Sequence, residues 1–166
     1  MERPSVTIEL VPYLQDYLLA EFGGKPTDTG VQIHSKSDIG KFILSKICVC
    51  ERPPKQELKD YPFTIYLPVC EWNHHVFREN FLWIPEYNQV LIRYHLEASF
   101  RLKQREFFVA GYEKGYKQDI IVQAFLTQYN IRNNALSYDA VKKYDYRNRK
   151  KTAKEVAKQI QLELFD

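Results

Sequence analysis

Val6-Thr7-Ile8-Glu9-Leu10, followed by Pro12 and then Leu14, Tyr17, Leu18 and Phe22, changes its hydrophobic period within a few residues. The first stretch alternates and is β-branched, which reads as a half-buried strand. Pro12 fits the first turn of a helix, where its missing N–H costs nothing, and the apolar residues after it recur at helical spacing until Gly23-Gly24 stops the element. A weaker copy follows: Val31 to His34 extended, Ser35 or Ser37 as cap, then Ile39, Phe42, Ile43 and Ile47 on one helical face. The N-terminal third is therefore expected to be β-α-β-α.

Working outward, Arg52-Pro53-Pro54-Lys55 opens a polar loop to Asp60, because two prolines forbid both helix and ladder donors. Phe63-Thr64-Ile65-Tyr66-Leu67, held between Pro62 and Pro68, predicts a third strand. Cys70 to Ile84 reads as aromatic and irregular. From Pro85 to about Tyr112 the apolar residues keep helical spacing and no proline intervenes, which predicts one long helix. The last fifty residues predict three helical pieces. The first is Gln118 to Tyr129, ended by the break Asn130 to Asn134. The second is capped by Ser137, with Leu136 and Val141 as a hydrophobic staple, and the third runs from Lys150 to Ile160 or beyond. The expectation is an α+β protein: a β-α-β-α portion with a third strand over 1–84, a long helix and a helix-turn-helix-like segment over 85–160, and a tail over 161–166, all in one compact unit.

With 45% hydrophobic and 27% charged residues, the 166-residue chain lies outside the disordered, collagenous and low-complexity classes. No apolar run approaches the ~18 to 20 residues that span a bilayer, and Met1-Glu2-Arg3-Pro4 lacks the order of a signal peptide. A cytoplasmic protein without membrane association is expected. Three cysteines suit free thiols in a reducing compartment.

Signals for chemistry are weak. Cys48, Cys50, Cys70, His74 and His75 do not have the C-x2-4-C or H-x3-5-H spacing of zinc ligands, so no metal is expected. The chain has no G-x-S-x-G, no phosphate-binding glycine loop and only six glycines. Neither catalytic residues nor a cofactor are assigned. A small metal-dependent nuclease using His74 or His75 is the remaining enzymatic alternative.

The charge distribution says more. Between Arg132 and Lys158 nine Lys and Arg stand against three acids, so this segment carries +6 of a chain whose total is +3. A local cluster on one element is the footprint of a partner with a dense negative backbone. On the helix after the break, Lys142, Tyr146 and Arg149 share a face flanked by Lys143, Arg147 and Lys150, with Lys151 just beyond. Arg147, Asn148 or Arg149 are placed to reach base edges and the lysines to reach phosphates. The expected function is a non-enzymatic DNA-binding accessory or regulatory protein. The alternative is a protein–protein interaction or homo-oligomerisation module, whose surface is the aromatic stretch Phe77 to Tyr94 and whose basic helix is merely solvated.

The final residues, Gln161-Leu162-Glu163-Leu164-Phe165-Asp166, resemble the QLxLF peptide by which bacterial replication and repair proteins dock on the sliding clamp. The resemblance implies an extended peptide in which Gln161 bonds to backbone while Leu162, Leu164 and Phe165 enter a hydrophobic groove, with the clamp as partner. Lys143-Tyr144-Asp145-Tyr146-Arg147-Asn148-Arg149 and the strand-helix start together loosely resemble uncharacterised proteins of prophages and mobile elements.

Overall fold

A computed structural model describes residues 3–25, 28–70 and 73–165; from position 150 onward, side-chain surroundings are described only for Lys158 and Gln161. In chain order the elements are β1 (Ser5–Glu9), α1 (Pro12–Glu21), β2 (Gly30–Gln32), α2 (Asp38–Ser45), β3 (Cys48–Cys50), β4 (Pro62–Tyr66), α3 (His74–Glu79) and β5 (Phe81–Trp83). The helices α4 (Glu86–Glu113), α5 (Gln118–Gln128) and α6 (Ala135–Phe165) complete the chain. The fold is α+β as expected. Two compact units are formed, Met1–Arg101 with Tyr129–Arg132, and Leu102–Gln128 with Asn133–Asp166.

In the first unit β4 is the central strand, antiparallel to β1 and parallel to β2. Its register sets Val6 opposite Ile65, Ile8 opposite Phe63 and Val31 opposite Ile65, and all five are buried. Alternation along the strands thus delivers one apolar face to the core. Pro12 opens α1, which buries Leu14, Tyr17, Leu18 and Leu19, and Gly23, at φ 71°, supplies the left-handed residue after its end. The first part of α4 lies against α1: the Phe100 ring meets those of Tyr13 and Tyr17, and the Tyr17 hydroxyl lies 2.8 Å from Ser99 Oγ. Ser37 caps α2 by accepting from the Gly40 N–H at 3.1 Å.

Buried polar groups of this unit are paired. Gln89 donates through Nε2 to the Ile84 carbonyl and accepts the Glu9 N–H, which ties the start of α4 to β1. Asp16 has no exposed side-chain surface and accepts from both the backbone N–H and the Nε of Arg132. A carboxylate so desolvated holds its charge only with such partners.

The stretch expected to be irregular contains α3 and β5, and β3 follows directly on α2. Strands of three residues offer too few alternations to be read from sequence. β3 and β5 form a separate antiparallel pair, Cys48 opposite Trp83 and Cys50 opposite Phe81.

In the second unit Phe108, Ile121, Val122, Phe125, Leu126 and Val141 are buried, with the Phe107 and Phe108 rings set edge-on to Phe125. Gly111 allows α4 and α5 to approach closely: a Cβ there would lie 2.8 Å from Ile121 Cδ1. The last two of the three expected helical pieces are one. α6 runs unbroken through 150, because Tyr146 to Lys154 contains neither Gly nor Pro to stop it.

Candidate nucleic-acid interface

The break before α6 is set by Asn130, which adopts φ 50°, a left-handed conformation that Asn tolerates better than most residues. Ser137 is not the cap of the next helix. α6 begins two residues earlier, and Asn134 accepts the Ser137 N–H on its Oδ1 at 2.9 Å. The Ser137 hydroxyl is instead fully buried and has no hydrogen-bond partner among the described residues. The expected staple is also absent, since Leu136 is 56% exposed while Val141 is buried. Asn is as good a cap as Ser, and Ala135-Leu136 are strong helix formers, so the earlier start wins.

The charged side chains of α6 divide into two sets. Lys142 reaches across to α5 and binds Asp119 Oδ1 at 2.8 Å, and the Tyr138 hydroxyl donates to the same oxygen at 2.7 Å. The Lys142 hydrogen bond, followed by that of Tyr138, holds the Asp119 carboxyl below its ordinary range, and the carboxylate in turn raises the pKa of Lys142 and that of the Tyr138 phenol. Arg149 pairs with buried Asp145 at 3.1 Å and stacks over the Tyr112 ring, 4.9 Å from its centroid. Asp145 also accepts from the Tyr112 hydroxyl at 2.7 Å and Gln118 Nε2 at 2.6 Å. Burial, helped by that hydrogen bond, pushes the Tyr112 phenol up. Asn148 donates to the Tyr144 carbonyl of its own helix. Lys142 and Arg149 therefore tie α6 to its neighbours in the unit, while the Asn148 bond stays within α6.

The second set faces away. Arg147 is exposed and has no ion-pair partner among the described residues, Tyr146 is half-exposed, and Lys143 meets Asp139 one turn back, at 3.3 Å on the surface. Exposed pairs of that kind are worth ~0 to 1 kcal/mol and exchange readily for phosphate. The side chains of Lys150 and Lys151 lie outside the described residues. The continuity of the backbone nevertheless fixes their positions on the helix. At 100° per residue, positions 143, 147, 150, 151, 154 and 158 share an arc of about 100° and rise over about 22 Å. No Asp or Glu falls in that arc, and its centre is about 130° from the buried position 141. Lys158 at its far end is exposed.

In the tail, the backbone of 161–165 is helical and Gln161 is exposed, while the side chains of Leu162, Leu164 and Phe165 lie outside the described residues. His74 and His75 stand exposed on α3. Among the described residues no three His, Cys, Asp or Glu side chains are grouped to hold a metal ion. No described helix is long and apolar enough to cross a membrane. Comparison of the chain with family models, with curated proteins and with solved structures finds no match.

Proposed function

We propose that this chain is a non-enzymatic DNA-binding accessory protein that contacts the duplex backbone through the outer face of α6. The supporting observation is the unbroken run of α6, which aligns Lys143, Arg147, Lys150, Lys151, Lys154 and Lys158 into a single basic stripe instead of dividing them between two helices. A stripe of cations about 22 Å long suits a row of phosphates. Of the residues best placed to read bases from a recognition helix, Arg149 is paired with Asp145 and Asn148 with the backbone of its own helix, which favours backbone contact over sequence readout. Recruitment to a sliding clamp through residues 161–166 requires the last turn of α6 to unwind, because the peptide it resembles binds extended. The proposal therefore rests on the basic face and not on the tail.

The test is a titration of a mixed-sequence duplex at several salt concentrations. Binding through this face gives log K falling linearly with log salt, with a slope of about −0.9 per phosphate contacted. Binding that ignores salt, or no binding at low salt, overturns the proposal.

A further inference from the structure

Within the second unit, the end of α4, the turn after it and the start of α5 enclose a cleft of about 420 Å³. That lies within the ~300 to 1,000 Å³ of small-molecule sites. Small residues leave it open. Positions 107, 110, 111 and 114 share one face of α4, and that face carries Ala110 and Gly111 at its middle, with Ala124 facing the same space from α5. Gly111 lets Ile121 come close, and Ile121, 2% exposed, closes the floor together with half-buried Phe107. The rim is also set by the backbone. Gly115, at φ 80°, ends α4, and the Tyr116 N–H donates to the Gly111 carbonyl at 3.1 Å, which holds Tyr116 beside the cleft. Tyr116 and Ile120 on this rim are each more than half exposed.

The lining includes a cation and no anion. Lys114 is exposed without an ion-pair partner among the described residues, and the Tyr116 hydroxyl has no hydrogen-bond partner among them. The nearby acids of α4, Glu106 and Glu113, lie about 90° and 110° from the centre of the lining face. Asp119 is held by Lys142 and Tyr138.

We propose that this cleft binds a medium-chain carboxylic acid, its carboxylate at Lys114 and the Tyr116 hydroxyl and its chain over Phe107, Ile120 and Ile121. Charge complementarity selects the anion, because a lysine covered by an apolar ligand loses water and needs a counter-charge. Length selects the chain. From 107 to 114 α4 rises about 10 Å, and an extended chain advances about 1.2 Å per bond, so eight to ten carbons fill it. The site is separate from DNA binding, since no lining residue lies on α6.

The test is calorimetric titration of the full chain, without DNA, using decanoate below its micelle concentration. One equivalent binds saturably, and decanol binds the same protein roughly three- to tenfold more weakly for want of the charge. Lys114→Met, folded as judged by an unchanged melting profile, loses about the same factor for decanoate. Arg105→Met removes an equal charge from the opposite side of α4 and changes affinity less than about twofold. NMR of the isoleucine methyl groups locates the ligand without any variant: Ile120 and Ile121 shift, whereas Ile8 and Ile65 of the first unit do not. No saturable binding, equal affinity for decanol, equal losses in the two variants, or shifts spread over both units each overturn the proposal.

Discussion

Replacing Asn134 by Ala removes the side-chain acceptor that serves the Ser137 amide in the first turn of α6, and a loss of about 0.5–2 kcal/mol is expected on chemical denaturation. Ser137→Ala, one turn inside the same helix, should be neutral or stabilising, because it removes a buried hydroxyl whose desolvation, ~1 to 3 kcal/mol, no hydrogen bond among the described residues offsets. The reverse order of stabilities would restore Ser137 as the cap. The sequence holds two good capping residues three positions apart, and only the packing of the first turn separates them. Asp119 makes a second test at this scale. Its folded pKa lies below the ordinary 3.8, so the stabilisation it contributes is present above that value and lost as pH falls through the folded pKa. For Lys142, whose pKa is raised, the contribution is present below 10.5 and lost as pH rises through the folded value. In an NMR titration Lys142→Met should move the Asp119 carboxyl up towards 3.8, and an unmoved titration would show that the pair does not persist in solution.

Elements long enough to repeat their period are legible in the sequence. β1, α1 and α4 lie within a residue or two of where alternation, Pro12 and the unbroken run after Pro85 place them. β3, α3 and β5, of three, six and three residues, were not readable, because a period needs several repeats before it differs from chance. The join at 150 is hidden in the sequence for a related reason. Successive Lys and Arg residues interrupt the apolar stripe without interrupting the helix, whose intrinsic propensity they support. Close approach of α4 and α5 is testable at Gly111. A valine there gains a few tenths of a kcal/mol of helix propensity but drives its Cβ against Ile121, so a net loss of about 1–3 kcal/mol is expected. A Gly111→Val melting temperature at or above that of the wild type would show that the contact yields easily.

At the scale of the whole molecule, net charge conceals the basic face, because the acids are spread elsewhere and three of them, Asp119, Asp139 and Asp145, pair with members of the cluster. The clustering itself is legible as a +6 segment; which cations stay available is not, since that depends on which acid each one meets once α5 and α6 have packed. The division between the two sets predicts different mutational outcomes. Arg147→Ala and Lys158→Ala should each reduce the magnitude of the salt slope of duplex binding by about 0.9, whereas Lys142→Met should change it by much less. Equal effects from all three would mean that the Asp119 pair opens on binding.

The strand order has a consequence for synthesis. β4 is the shared partner of β1 and β2, yet it is the last of the three to leave the ribosome. Until Pro62 to Tyr66 has emerged, both earlier strands lack the ladder they have in the finished protein, and their apolar residues, Val6, Ile8 and Val31, have no sheet to join. Nascent chains halted before that point carry bare strand edges and sticky side chains, the combination that invites pairing with the wrong neighbour. The growing polypeptide thus has a vulnerable window, closed by the arrival of a five-residue strand and not by the length already made.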